Sequence, residues 1–180
     1  MTALCAFALV ALFGGTVVST AAQTPEDSRS NLVHTREEFS LVVNAPYDEA
    51  FPLFGAYEER KWAPGFDPQF LFPSSPHDQQ GMVFTTVQEG LPRVWTNTAF
   101  DVATGHVQYV YWIIDTMVTR IDIHIENRGS RVTHVNVVYE RTSLRPDAND
   151  LVVRMARGDA HSGPHWAEMI NGYLQSAAAK

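Results

Sequence analysis

The sequence predicts an α+β fold, a curved antiparallel sheet that encloses a pocket and is closed by one terminal helix. Three alternating strands run in succession from His106 to Arg141. Pro146 and Asp147 then open an amphipathic run that continues to Gln175. A sheet curved round a long helix leaves a space between the two, so this order of elements describes a container.

Side chains along a strand alternate between two faces. In the stretch ending at Glu126, Thr119, Ile121, Ile123 and Ile125 share one face, and Arg120, Asp122, His124 and Glu126 share the other. Thr133, Val135, Val137 and Tyr139 repeat the pattern against His134, Asn136, Val138 and Glu140, with Asn127-Arg128-Gly129-Ser130 as the hairpin turn. Matching the apolar faces predicts His124 opposite His134, since a slip of one residue turns a strand inside out. The strand before them, His106 to Ile114, is apolar or aromatic on both faces and reads as central.

Upstream, Phe39, Leu41 and Val43 alternate with Glu38, Ser40 and Val42 in a first strand that begins at Glu37. Asn44-Ala45-Pro46 starts a helix, with Asp48 and Glu49 complementing its dipole and Pro52 kinking or shortening it. The stretch from Glu58 to Pro73 is dense in aromatics and prolines, and predicts Trp62, Phe66 and Phe70 held without regular structure. Met82 to Gln88 and Val94 to Val102 read as two more strands, joined by a loop over Glu89-Gly90-Leu91-Pro92-Arg93. In the terminal run, Gly158 to Pro164 interrupts the helix, with Ser162 as a cap and Pro164 at the first position of its second part.

With 180 residues, 45% hydrophobic and 18% charged, the chain suits one domain. A net charge of -7 and a pI near 5.4 argue against nucleic acid as a partner. Residues 1–22 carry an uncharged apolar stretch that ends in Ser19-Thr20-Ala21-Ala22 and read as a secretory signal peptide, the alternative being an uncleaved membrane anchor over residues 3–22. An exported protein, periplasmic or extracellular, is therefore expected, touching a membrane only through that segment if it is retained. Cys5 is the single cysteine, and cleavage leaves no thiol for a disulfide. Residues 23–36 read as a flexible leader and 37–178 as the domain.

Ala45-Pro46-Tyr47-Asp48-Glu49-Ala50-Phe51, Trp62-Ala63-Pro64-Gly65-Phe66-Asp67-Pro68, and Pro164-His165-Trp166 through Asn171-Gly172-Tyr173-Leu174 follow the first strand, fill the aromatic segment and lie on the last helix. In these residues, from Glu37 to about Ser176, the chain resembles the START-like or helix-grip superfamily. That group includes Bet v 1-like proteins and the bacterial polyketide cyclase/dehydrase-like group called SRPBCC. The resemblance implies a sheet of about seven antiparallel strands gripping the C-terminal helix over a hydrophobic pocket. It further implies a lipid, isoprenoid, sterol or aromatic polyketide-like ligand, with only some members acting as enzymes.

The candidate ligand-binding residues are Trp62, Phe66, Thr86, Thr98, Tyr109, Tyr111, Tyr139, His165 and Met169: aromatic and apolar surface with a few hydroxyls to orient a molecule. Candidate catalytic groups are His165, Asp159 and His161, since a carboxylate beside an imidazole can act as an oriented general base. His161 and His165 have the four-residue spacing of a helical metal pair, but Gly163 and Pro164 intervene and no third ligand is evident, so no metal and no cofactor are expected. His124 and His134 read as solvated residues of the outer face. The expectation is an exported carrier or sensor for a small hydrophobic molecule, more a binder than an enzyme. Its alternatives are a polyketide cyclase or dehydratase-like enzyme with His165 or Asp159 as base, and a structural envelope protein with a collapsed pocket.

Overall fold

The computed structural model describes residues 31–127, 129 and 131–179. The proposed signal segment, and the leader as far as residue 30, lie outside these. The element order is β1 (His34–Val43), α1 (Tyr47–Ala50), a 3₁₀ turn (Phe51–Phe54), α2 (Ala56–Glu59), β2 (Gln69–Phe72), β3 (Val83–Gln88), β4 (Leu91–Asp101), β5 (His106–Ile113), β6 (Met117–Glu126), β7 (Thr133–Ser143), a 3₁₀ turn (Pro146–Ala148), α3 (Asn149–Asp159) and α4 (Ser162–Ala178). One antiparallel sheet in the order β1-β7-β6-β5-β4-β3-β2 wraps round the long C-terminal helix α4.

The inner face of the sheet carries the residues the alternation assigned to it in β6 and β7, among them Ile121, Ile123, Val135 and Val137, all buried, and in β5, which is apolar on both faces, it carries the buried Val107 and Tyr109. The register between β6 and β7 differs from the prediction. His124 pairs with Asn136, and His134 pairs with Glu126. The connection is longer than a four-residue turn, and a shift of two residues keeps every side chain on its face, so the hydrophobic pattern is blind to it. His124 instead faces His106 across β5 and β6.

β1 begins earlier than the expected leader boundary: His34, Thr35 and Arg36 pair with Thr142, Arg141 and Glu140. Polar composition there belongs to an edge strand, tied down where the Val33 amide donates to Ser143 Oγ at 2.8 Å. The aromatic segment contains the seventh strand, because Gln69 and Phe70 pair with Thr85 and Phe84. The expected five-residue loop after β3 is a two-residue turn. Glu89 (φ 53°) and Gly90 (φ 75°) both take the left-handed conformation that tight hairpins require. Leu91, Pro92 and Arg93 therefore lie in β4, with Arg93 opposite Thr86 and buried on the inner face.

Pro52 ends the first helix early, as its missing amide requires, and the chain tightens into the 3₁₀ turn. Asp78 then accepts from the amides of Tyr57 (2.7 Å) and Glu58 (3.2 Å) at the start of α2. A β-carbon at position 55 would lie 2.1 Å from the Asp78 carboxyl carbon, so any other residue there displaces the carboxyl that caps α2. The terminal run is two helices, broken at Ala160 and His161. His161, not Ser162, occupies the cap position; the Ser162 hydroxyl donates back to the Gly158 carbonyl at 3.1 Å. Pro164 is the third residue of α4, where its absent N–H costs no helical hydrogen bond.

Candidate functional site

A cavity of about 210 Å³ lies between sheet and helix, lined by Glu59, Phe66, Gln88, Trp95, Tyr109, Ile121, Ile123, Tyr139 and Trp166. Every strand from β3 to β7 contributes at least one of these residues, α2 supplies Glu59 and α4 supplies Trp166. An engineered apolar cavity of about 150 Å³ holds benzene, so this volume suits one aromatic ring with a short chain.

Two polar groups of the cavity wall are already committed. The Tyr109 hydroxyl accepts from the Ala56 amide (2.8 Å) and donates to the Phe54 carbonyl (3.2 Å). Trp95 Nε1 donates to Thr86 Oγ1 at 2.9 Å. Among the described residues, no hydrogen-bond or ion-pair partner reaches the carboxyl of Glu59, the hydroxyl of Tyr139, the side-chain amide of Gln88 or the indole nitrogen of Trp166. Burial pushes the Glu59 carboxyl up to about 8, with the Asp78 charge adding to the effect. Burial also holds the Tyr139 phenol well above its usual value, reinforced by Asp159.

Next to the cavity, Arg141 grips Asp159 through two hydrogen bonds, Nε to Oδ2 at 2.6 Å and Nη2 to Oδ1 at 2.7 Å. Its remaining nitrogen donates to Thr119 Oγ1 (3.0 Å) and to the Tyr111 hydroxyl. Burial works against the Arg141 charge, and the bonds to Asp159 more than offset it. Burial likewise raises the Asp159 carboxyl, with Arg141 opposing.

The residues named from sequence divide among several places. Phe66, Tyr109 and Tyr139 line the cavity. Trp62 and Met169 line a separate surface groove of about 590 Å³ between residues 60–67 and α4, and Phe66 borders both spaces. Trp62 is otherwise a core residue whose indole donates to the Leu53 carbonyl at 2.7 Å. Tyr111 stands behind Trp95, ring centroids 4.2 Å apart, and Thr86 serves that same indole. Thr98 sits at a bulge with its hydroxyl on Gln108 Oε1 at 2.8 Å, on the outer side of the sheet. His161 and His165 are exposed and line neither space, while the Asp159 carboxylate is occupied by Arg141. Sequence reasoning passed over Glu59, which stands in the run Glu58-Glu59-Arg60-Lys61 and carries no mark separating it from a solvated helix end.

One cluster of metal-ligating groups is found among the described residues. His106 Nε2 lies 2.7 Å and His124 Nε2 3.4 Å from Asp122 Oδ1, and the two imidazoles stack with centroids 4.9 Å apart. Gln108 donates to the other Asp122 oxygen at 2.9 Å. These residues alternate with the cavity-lining ones on β5 and β6, so the cluster occupies the opposite face of the sheet. Its donor set of two imidazoles and a carboxylate suits a transition metal.

No family model and no curated protein matches the sequence. Solved structures do. Norcoclaurine synthase from Thalictrum flavum, in complex with dopamine and hydroxybenzaldehyde, superposes with a TM-score of 0.60 at 12% identity, over 96% of this chain and 99% of that one. Ara h 8.0201 gives 0.53 at 16% identity, over 80% and 99%. A protein from Rhizobium leguminosarum gives 0.50 at 11%, over 80% and 99%. The chain has the Bet v 1-like helix-grip fold. The Bet v 1-like pocket is one that can take a small hydrophobic molecule, and the presence of a cavity removes the collapsed-pocket alternative. The expectation of a binder rather than an enzyme is corrected as well. This fold houses norcoclaurine synthase, an enzyme, and the chain carries a His-Asp-His cluster of titratable groups. Among the described residues, no helix is long and apolar enough to cross a membrane.

Proposed function

We propose that this chain is an enzyme of acid-base chemistry, acting on a small and largely aromatic molecule in the cavity between sheet and α4, with Glu59 as the proton-transferring group. The observation that carries this reading is the Glu59 carboxyl on the cavity wall with no partner among the described residues. Catalytic acids need a pKa near the working pH, and a buried carboxyl pushed up to about 8 is mostly protonated at neutrality. Glu59 therefore enters as a proton donor and is returned to the acid by solvent or product. Tyr139 offers a second hydroxyl to orient a carbonyl or phenol, and Trp95, Phe66 and Trp166 exclude water from the reacting atoms. The roles first given to His165 or Asp159 pass to Glu59 on this reading. The apolar segment over residues 3–22 supports placing the protein outside the cytoplasm.

The test is proton-deuterium exchange at the carbon beside the carbonyl in a panel of single-ring aryl alkyl ketones and arylacetaldehydes, followed by NMR in D₂O. Glu59 donates its proton to the carbonyl oxygen while water takes the proton from that carbon, and the enol returns by the reverse transfers. Exchange well above the buffer rate, reduced roughly 10²- to 10⁴-fold in Glu59→Gln, is expected. A panel with no exchange above buffer overturns the enzyme reading, and a fully active Glu59→Gln overturns the residue assignment.

A further inference from the structure

Arg93 faces inward on β4 and is 5% exposed. The two-residue turn at Glu89 and Gly90 sets it there, opposite Thr86 on β3. Its neighbours on that face include Gln88 and Trp95, both of which line the cavity, while Arg93 itself stands beside them and is not one of the lining residues. The guanidinium stands 5.5 Å from the centroid of the Tyr111 ring, and Arg93 Nε is buried without a hydrogen-bond partner. Among the described residues, no acid forms an ion pair with it. Arg141 alongside has its own counter-ion in Asp159, and Glu89 is exposed on the turn.

An arginine keeps its charge at any physiological pH. A buried charge with no partner is strongly unfavourable, whereas the planar guanidinium fork matches a carboxylate in two parallel hydrogen bonds. The inner face at this end of the sheet thus carries one positive charge that the neighbouring described acids leave uncompensated.

We infer that Arg93 anchors an anionic group of the bound molecule, so that the cavity takes a small aromatic carboxylate with its ring against Trp95 and its carboxylate on Arg93. This rests on the reading of the cavity as the substrate site. The ring fills the apolar part of the wall, the carboxylate supplies the missing counter-ion, and the Glu59 end is left to the reacting group. A cavity of about 210 Å³ limits the molecule to roughly one ring and a short acid chain. Specificity follows from the unpaired group, because a site that holds a buried polar group for its ligand rejects an analogue lacking the complement.

The experiment compares 3-phenylpropanoate with 3-phenylpropanamide, equal in size and different in charge, by isothermal titration calorimetry on the wild type, Arg93→Met and Lys61→Gln. The carboxylate is expected to bind about 10- to 100-fold more tightly than the amide, as a charge-assisted hydrogen bond gives. That preference should vanish in Arg93→Met and persist in Lys61→Gln, which should leave both affinities unchanged. Equal affinity for the two compounds in the wild type, or a preference that survives Arg93→Met, overturns the inference. A preference abolished only by Lys61→Gln places the anion in the surface groove and overturns it too. Arg93→Lys keeps the charge and should retain part of the preference, which separates anchoring from a folding defect. If the amide binds and Glu59-dependent exchange is seen without any carboxylate preference, the enzyme reading stands while the anchor fails. If neither compound binds, the anchor fails, and the exchange panel decides the enzyme reading separately.

Discussion

Gly163 on α4 lies against Ser40 on β1: a β-carbon at position 163 would stand 2.8 Å from the Ser40 carbonyl oxygen and 3.3 Å from the Phe39 ring. The neighbour is backbone within a strand and has little freedom to retreat. This contact sets how closely the gripped helix approaches the sheet edge, and so helps to set the depth of the cavity. Gly163→Ala is expected to destabilise the protein by roughly 1–3 kcal/mol through overpacking. Gly172→Ala, on the same helix with nothing within 4 Å, should instead stabilise it by about 0.4–1 kcal/mol. Urea denaturation of the two variants distinguishes them, and a neutral Gly163→Ala would contradict the close approach.

The Arg141-Asp159 pair is buried and joined in bidentate fashion, and each partner's removal strands the other's charge. Asp159→Asn and Arg141→Met are each expected to lose about 3–5 kcal/mol of stability. The double variant should recover part of that loss, because it leaves no orphaned ion. Were Asp159 a free catalytic base, Asp159→Asn would abolish activity at unchanged stability. Thermal melts of the single and double variants read the difference.

Glu59 makes stability depend on pH in a set direction. Its carboxyl is raised from about 4.5 to about 8 on folding. The folded state therefore binds more protons than the unfolded state between these values. The stability this group contributes is fully present below about 4.5 and is lost as pH rises through about 8. Glu59→Gln removes the ionisation, so its advantage over the wild type should be small at pH 4.5 and grow up to pH 8 to 9. Paired denaturation curves across that range check this, and a difference independent of pH would mean an ordinary Glu59 carboxyl. The same sign predicts that turnover requiring the Glu59 proton falls as pH rises past about 8.

Phe66 borders both the inner cavity and the outer groove. Phe66→Ala is expected to join the two spaces, to cost about 3–5 kcal/mol in stability as large core truncations do, and to speed ligand release. Stopped-flow measurement of 3-phenylpropanoate dissociation, with tryptophan fluorescence as signal, tests this. Unaltered release would show that the molecule leaves by another route.

Residue chemistry and its period along the chain were enough for every strand but β2, for the terminal helix with its break, and for the inward face of β6 and β7. Alternation decides which side of a strand is buried, whatever it packs against. The terminal-helix break was legible near Gly158 to Pro164, although its caps were not, since a cap depends on which side chain finds the backbone. The placement of Arg93 was hidden because Leu91-Pro92-Arg93 reads as loop until the Glu89-Gly90 turn shortens it. Register was equally hidden: pairing His124 with Asn136 or with His134 leaves every face unchanged, and only the length of the closed turn chooses.

The sequence by itself thus determined an α+β container with an apolar interior, because burial of alternating side chains is a local property repeated along the chain. Only the tertiary structure decided what the interior can do. It turned Glu59 from a polar helix end into the cavity's unpartnered acid, committed Asp159 to Arg141, and left His165 in solvent. Charge and proton affinity are set by what surrounds a group in space, and those neighbours come from strands and helices far apart in the chain.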